Sequence, residues 1–285
     1  MSTPWRVDAH QHFWRVCRGD YFWMPGSGPL ARDYLPRDLA GPNEAAGIYG
    51  TVLVQAAPTV AETEYLLGLA DADGPVDILG VVGWADLAAP ELGSFEKLAS
   101  HPKLVGVRPM IQDIAADDWV TQPAVLDGLS RLPGLGLTFD LLCYPRHLRY
   151  AIQALEHVPQ LPVVVDHLAK PRYDAVDSEW RAQMADLAAR PGTYCKLAGL
   201  VTEIGRGWTA DQFARHVEVI LELFGPRRIM IGTDWPVLLA AAEHREVVAL
   251  ADRLISQLPA QDQQWMWRGA ANEFYGLQLD PDVGS

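Results

Sequence analysis

Two histidines, His10 and His12, stand two positions apart near the start of the chain. Residues two apart on a β-strand point to the same side, so the two imidazoles can converge on one site. There they would serve as metal ligands or as hydrogen-bond donors. Taken alone, such a pair more often consists of two polar side chains in an ordinary loop.

Ionisable residues also accompany four later apolar runs. Arg108, His167 and Asp234 follow such runs, and Lys196 lies inside one. Each has a structural explanation: a salt bridge for the arginine, a satisfied core position for the histidine, a helix cap for the aspartate and a snorkelling side chain for the lysine. Because all of them stand at predicted strand ends, they together predict one catalytic cavity.

Aromatic and amide side chains accompany these groups. Flat apolar faces next to hydrogen-bonding groups are typical of a site for a sugar-like or planar cyclic ligand. The candidate substrate contacts are Trp23, Gln55, Trp84, Gln112, Tyr144, Lys196 and Trp235. Any single tryptophan is also compatible with core packing, which we favour for Trp180, Trp265 and Trp267 on helical stretches.

The elements that would position these residues alternate regularly. Short apolar, β-branched runs predict strands at 6–10, 49–56, 78–86, 104–110, 137–143, 161–167, 193–199 and 228–235. Helical stretches are predicted at 36–46, 62–72, 90–100, 123–132, 147–158, 178–190, 209–224 and 243–256, with a further one at 261–275. Without a domain linker between these units, we expect one α/β domain over residues 1–285, a (β/α)8 TIM barrel with an extra C-terminal helix. The active site of such a barrel lies at the carboxyl ends of the strands.

Composition excludes several classes of function. The chain has 285 residues and a formal net charge of −13. This negative charge argues against nucleic-acid or anionic-membrane binding, which leaves a small molecule as the expected partner. Three scattered cysteines and an N-terminus without a signal-peptide pattern indicate the cytoplasm. No heptad run stands out, so the sequence leaves the oligomeric state open.

The motifs at the predicted strand ends resemble those of the amidohydrolase superfamily, in its amidohydrolase 2 branch. The resemblance spans nearly the whole chain and rests on residues 8–14, 34–36, 82–84, 107–108, 112–113, 166–171, 195–203 and 232–237. This branch contains fuconolactonase-like sugar lactonases and is related to pyrone-dicarboxylate and sulfomuconolactone hydrolases. The resemblance implies a hydrolase of carboxylic ester bonds that opens the lactone ring of a sugar acid or of a related carboxylic lactone.

The resemblance also implies roles for individual residues. Asp234 corresponds to the base that activates water, and Arg108, His10, His12 and His167 would polarise the lactone carbonyl. The family's metal-bridging lysine or glutamate on strand 4 is absent, because Arg108 stands there. At most one Zn²⁺ would bind, between the three histidines and Asp234, and catalysis without any metal stays open.

Two other functions remain compatible with these residues. One is a zinc-dependent decarboxylase or another hydrolase of the amidohydrolase type, since related barrels use a histidine pair and an aspartate around one Zn²⁺. The other is a catalytically silent barrel that binds lactones without turnover. Pro109 stands where some lactonases of the branch carry a histidine, so the resemblance does not name one lactone.

Overall fold

Eight short parallel strands form the centre of the protein. The computed structural model describes residues 5–279, and each strand pairs with its neighbours in sequence, in the order β1 to β8. The strands are β1 Arg6–Gln11, β2 Ile48–Val54, β3 Asp77–Gly83, β4 Leu104–Val107, β5 Thr138–Leu141, β6 Val163–Val165, β7 Thr193–Leu197 and β8 Ile229–Ile231. With the helices between them, they confirm the predicted (β/α)8 barrel.

Hydrogen bonds between the segment that follows β8 and the carboxyl end of β1 close the ring. The amide of Asp234 donates to the carbonyl of His10 at 2.8 Å, and the amide of His12 donates to the carbonyl of Trp235 at 2.7 Å. Both bonds lie at the carboxyl ends of the two strands. The first and last predicted site segments therefore meet at one rim of the barrel.

Helices surround the strands and extend past the last one. They are α1 Pro36–Ala46, α2 Val60–Asp71, α3 Pro123–Arg131, α4 Pro145–Glu156, α5 Ser178–Ala189, α6 Leu200–Ile204, α7 Ala210–Phe224, α8 His244–Ile255, α9 Ala260–Gln264 and α10 Ala270–Tyr275. A π-helical turn, Trp265–Gly269, joins α9 to α10. The predicted C-terminal helix is thus present as one helical stretch of three parts.

The helix predicted at 90–100 is wrong. The segment Pro90–Lys97 forms 3₁₀ turns interrupted by Glu91, Leu92 and Gly93, whose φ angles are 53°, 56° and 57°. Gly93 also has a ψ of −133°, a conformation that glycine adopts far more readily than other residues. The apolar spacing that indicated a helix instead buries Leu92 and Phe95 under an irregular connection.

Apolar packing fixes the strands on both sides of the sheet. All three valines of β6 are fully buried, as is typical of parallel strands covered by helices. A second apolar cluster joins strand residues such as Val52 and Val164 to Phe274 and Tyr275 of α10. None of the helices within residues 5–279 has both the length and the apolar character needed to cross a bilayer.

Candidate active site

Residues after several different strands enclose a cavity of about 150 Å³. Six predicted site residues meet in its wall: His12, Trp23, Arg108, Gln112, His167 and Asp234. The remaining lining residues are Ala56, Met110, Leu142, Lys170, Thr202 and Val237. The strands themselves end before these positions, as β8 does at Ile231. Ionisable side chains thus stand on loops that a rigid ring of strands holds in place, the usual arrangement at this face of a TIM barrel.

Asp234 and His12 form the polar end of this cavity. The Nε2 atom of His12 lies 3.2 Å from Oδ1 of Asp234, and its Nδ1 atom lies 2.7 Å from the carbonyl oxygen of Val54. Both ring nitrogens therefore face acceptor oxygens, an arrangement satisfied when both donate or when a cation lies at Nε2. Burial by itself raises the pKa of Asp234, but the hydrogen bond from His12 and the charges of His167, His12 and Lys170 bring this pKa below 3.8. The carboxylate is ionised at neutral pH.

Whereas the ring nitrogens of His12 face acceptor oxygens, those of His10 face cationic side chains. His10 is fully buried behind the cavity wall. Its Nδ1 atom lies 3.2 Å from Nζ of Lys196, and its Nε2 atom lies 3.3 Å from Nη1 of Arg108. Burial, followed by the charge of Lys196, holds the pKa of His10 well below 6.5. His10 is therefore a neutral imidazole between two cationic side chains.

Arg108 is anchored from behind and presents its charge to the cavity. Its Nη1 atom lies 3.4 Å from Oδ2 of Asp166, and its Nη2 atom donates to the carbonyl of Gln55. The Gln55 side chain in turn donates to the carbonyl of Arg108 at 2.7 Å. Gln55, predicted as a substrate contact, is fully buried behind the arginine and does not line the cavity.

His167 reaches the cavity from a left-handed turn. Four successive residues, His167 to Lys170, have φ angles between 52° and 56°, a conformation that costs roughly 1–2 kcal/mol per non-glycine residue. Gly199 packs directly against the imidazole, since a Cβ atom added there would lie 2.4 Å from Nδ1 of His167. Burial lowers the pKa of His167 below 6.5. Such strain is typical of functional sites, where the surrounding structure holds it.

Lys196 lies beneath the cavity, in a buried ionic network. Its Nζ atom is 2.6 Å from Oδ2 of Asp140 and 3.3 Å from Oδ1 of Asp166. The Tyr275 hydroxyl donates to the same Asp140 oxygen at 2.7 Å, which ties α10 to the network. Burial raises the pKa of Asp140 to about 6 even though Lys196 opposes this rise. The structure thus places Lys196 beside His10 and not in the cavity wall.

Three other predicted contacts lie outside this cavity. Trp84 lines a separate cavity of about 370 Å³ together with Phe22 and Trp119. Trp235 is only 2% exposed and packs edge-on against Phe13 and Tyr34. Tyr144 lines a larger neighbouring cavity, next to the start of α4.

Trp23 is the aromatic residue of the first loop that does line the cavity. Its indole Nε1 atom donates to the carbonyl of Ala56 at 2.6 Å, and Glu62 accepts hydrogen bonds from the amides of Ala56 and Ala57. Glu62 itself is fully buried. It therefore fixes the β2–α2 loop against which Trp23 is held.

Sequence reasoning missed several residues of the site. Asp166 and Asp140 were not among the candidates, although each stands in or directly after an apolar run, which was the signal that identified Lys196. Lys170 and Thr202 line the cavity but follow no strand directly, and only the path of the loops brings them there.

One group of side chains fits a zinc ion. His10, His12 and Asp234 each offer a ligand atom, and these atoms lie within 4.8 Å of one another. Imidazole nitrogen and carboxylate oxygen are ligand types that Zn²⁺ accepts. A cation shared by His12 Nε2 and Asp234 Oδ1, which lie 3.2 Å apart, would also give both atoms a partner.

A second group, His10, Asp166 and His167, has ligand atoms just as close together. Between two of its members, however, stands the ammonium of Lys196, 3.2 Å from His10 Nδ1 and 3.3 Å from Asp166 Oδ1. A positive charge is therefore already present where a second ion would bind. The side chains fit one ion better than two.

Comparison with known proteins gives consistent matches along the chain. A family model described as amidohydrolase matches residues 7–277. A protein from Burkholderia ambifaria named L-fucono-1,5-lactonase is 39% identical over 235 residues, which cover 81% of this chain and 80% of the relative. Another of that name, from Burkholderia multivorans, is 38% identical over 293 residues and 98% of each chain. A solved amidohydrolase from Burkholderia multivorans with bound zinc has a TM-score of 0.87 and 37% identity, covering 96% of this chain and 99% of that one.

Proposed function

Because this chain belongs to the amidohydrolase family, we propose that it is a lactonase that opens the ring of a sugar-acid lactone, of the class of L-fucono-1,5-lactone. Two relatives of that name match this chain at 38% and 39% identity. The observation that carries the proposal is the ionised Asp234 carboxylate in the wall of a small cavity that Arg108 also lines. A base and a fixed positive charge at one site are what ester hydrolysis requires.

Asp234 acts as the general base. Its carboxylate takes a proton from a water molecule as the water oxygen forms a bond to the lactone carbonyl carbon, and the carbonyl oxygen becomes an oxyanion. When the tetrahedral intermediate collapses, the bond between this carbon and the ring oxygen breaks. Asp234 then returns the proton to the ring oxygen, which leaves as a hydroxyl group, and the product is the open-chain hydroxy acid.

Arg108 and the histidines stabilise the oxyanion. The guanidinium is permanently charged, lines the cavity and is held by Asp166 and the Gln55 carbonyl. The neutral His10 contacts Arg108 from behind and positions it, while His167 and His12 line the cavity beside the carboxylate charge of Asp234. Donors fixed before the reaction stabilise the developing charge without having to reorganise.

One Zn²⁺ would be held by His10, His12 and Asp234, with His167 close by. When bound, such an ion polarises a carbonyl oxygen and lowers the pKa of a bound water.

A panel of lactones tests the proposed function. Acid release from L-fucono-1,5-lactone, other aldono-1,5-lactones and muconolactones is followed with a pH indicator, on the protein as purified and after chelation. We expect turnover of at least one aldonolactone. Carbon dioxide release from aromatic acids with no lactone turnover would show a decarboxylase instead, and binding without turnover would show a silent barrel.

We further propose that residues 1–285 work as one barrel domain in the cytoplasm, with the lactone as a small-molecule partner. The net charge of −13 and the three scattered cysteines support this proposal.

A further inference from the structure

A second, larger cavity adjoins the candidate active site. The outer cavity, as we call it, has a volume of about 590 Å³ and is lined by Tyr144, Arg146, Lys170, Arg172, Tyr173 and Glu203, among others. Lys170 also lines the inner cavity of about 150 Å³. Drug-sized ligands typically occupy roughly 300–1,000 Å³, so the inner cavity suits a single small ring, whereas the outer cavity has room for a further group.

The wall between the two cavities is built from residues of both. Lys170 forms an ion pair with Glu203 at 2.8 Å, and Glu203 follows Thr202, which lines the inner cavity. On the other side, Nη2 of Arg146 lies 3.3 Å from the carbonyl oxygen of Gln112, another inner residue. The two cavities therefore meet at Lys170, and a substituent on a ligand in the inner cavity would pass this side chain to reach the outer one.

The outer cavity is polar, and each cationic side chain in its lining is already paired with a carboxylate. Lys170 pairs with Glu203 at 2.8 Å, Arg146 with Asp117 at 2.9 Å and Arg172 with Asp174 at 2.5 Å. An anionic group would have to displace a carboxylate from one of these pairs. A neutral group rich in hydroxyls would instead hydrogen-bond to the existing pairs.

Two tyrosines add aromatic surface to the outer cavity. Tyr144 and Tyr173 line the outer cavity and supply flat apolar surface beside the ion pairs. The Tyr173 hydroxyl has no hydrogen-bond partner among residues 5–279, although a buried phenol usually finds one. Aromatic rings together with hydrogen-bonding groups match the alternating apolar and hydroxylated faces of a pyranose.

We propose that the outer cavity is a second carbohydrate subsite, which binds a glycosyl residue attached to the lactone ring. The enzyme would then prefer the aldonolactone of a disaccharide to that of a single sugar. This inference rests on the proposed lactonase function and adds the substrate class to it.

The test compares D-glucono-1,5-lactone with its 4-O-glycosyl derivatives, cellobiono-, lactobiono- and maltobiono-1,5-lactone, and includes L-fucono-1,5-lactone as the reference substrate. We expect at least one disaccharide lactone to have a kcat/KM about tenfold above that of D-glucono-1,5-lactone. Arg172→Ala and Tyr173→Leu should abolish this preference and leave kcat/KM for L-fucono-1,5-lactone unchanged. The matched controls are Arg149→Ala, at an exposed position of α4, and Tyr150→Leu, at a half-buried position that packs against the core as Tyr173 does; neither residue lines either cavity.

The outcomes separate the two proposals. Turnover of L-fucono-1,5-lactone without any preference for a disaccharide lactone overturns the subsite and makes the outer cavity an entrance only. A preference that survives both Arg172→Ala and Tyr173→Leu also overturns it. Because the Arg172 side chain is largely exposed, its removal tests the subsite even if Tyr173→Leu fails to fold. Failure on every lactone, including L-fucono-1,5-lactone, removes the lactonase function itself.

Discussion

The Nε2 atom of His12 lies 3.2 Å from the Oδ1 atom of Asp234, although 222 positions separate the two residues in the chain. The contact follows from barrel closure, because the backbone bonds between Asp234 and His10 and between His12 and Trp235 join the segments after β1 and β8. Each of these segments supplies one member of the pair. The backbone bonds that close the barrel therefore also bring His12 next to Asp234, the proposed base.

Asp234→Asn should slow catalysis by orders of magnitude while keeping the fold. The amide has the shape of the carboxylate but cannot take a proton from water, so kcat for L-fucono-1,5-lactone should fall by about 100- to 10,000-fold. The backbone bond from the Asp234 amide to His10 remains, and the melting temperature should stay within a few degrees of the wild type. A near-wild-type rate would show that another group is the base.

Protonation of His10 and His167 should affect the activity only below the ordinary pKa of histidine. The pKa of Asp234 lies below 3.8, and burial lowers the pKa of His10 and of His167 below 6.5. The Asp234 carboxylate therefore stays ionised in mild acid, and protonation of His10 or His167 should lower kcat/KM only at pH values below 6.5, in a profile measured from about pH 5 to 8. Initial rates across this range, corrected for spontaneous hydrolysis, provide the measurement. An acid limb with an apparent pKa of 6.5 or above that disappears in His167→Gln would contradict the environment of this histidine.

Gly199→Ala should displace His167. The new Cβ atom would lie 2.4 Å from Nδ1 of the imidazole, and the ring cannot stay in place. Gly136→Ala is the matched control, because Gly136 has φ and ψ of 72° and 21°, close to the 67° and 11° of Gly199, and nothing lies within 4 Å of a Cβ atom there. Both variants should lose about 1 kcal/mol of stability from the left-handed backbone, but only Gly199→Ala should lose activity. Equal activity in the two variants would show that the position of His167 does not matter.

Lys196→Met should destabilise the protein strongly. Removal of the ammonium leaves Asp140 and Asp166 buried without their main cation, and breaking a buried pair in this way costs about 3–5 kcal/mol. Asp166 still contacts Arg108 in this variant, so adding Asp140→Asn removes the carboxylate that has lost its cation and should restore part of the free energy of unfolding. Chemical denaturation of the single and double variants measures both effects. A double variant less stable than Lys196→Met would be inconsistent with this network.

Glu62→Gln should change how stability depends on pH. Burial raises the pKa of Glu62 from 4.5 to about 8, against the hydrogen bonds from the Ala57 and Ala56 amides. The folded protein therefore binds a proton that the unfolded chain releases, so this group's contribution to stability is complete below pH 4.5 and is lost as the pH rises toward 8. The slope from one such group is at most about 1.4 kcal/mol per pH unit.

Glu62→Gln removes this loss, so the variant should gain stability relative to the wild type as the pH rises from 5 to 8. Thermal unfolding at several pH values gives the comparison, with the exposed Glu64→Gln on the same helix as the control. The proposed environment of Glu62 is wrong if both variants follow the wild-type curve.

The fold could be predicted from local patterns because each strand and helix carries its own signal. The eight apolar runs gave the order of the elements, and the strand-end motifs gave the resemblance that the family match bears out. The helix expected at 90–100 failed because apolar spacing does not register the left-handed backbone around Gly93. Local composition therefore identified the elements, but the conformation of the backbone between them could be read only from the structure.

The sequence by itself determined which side chains follow strands, and hence that His12, Arg108, His167 and Asp234 would share a rim. Only the tertiary structure decided how they are divided between the cavity and the core beneath it. Lys196 and Gln55 lie behind the cavity wall, and Lys170 enters the wall from a loop. The physical reason is that a strand fixes the face and the end at which a side chain stands. Its depth and charge partners depend on strand tilt, barrel closure and loop paths, which bring together residues from the whole chain.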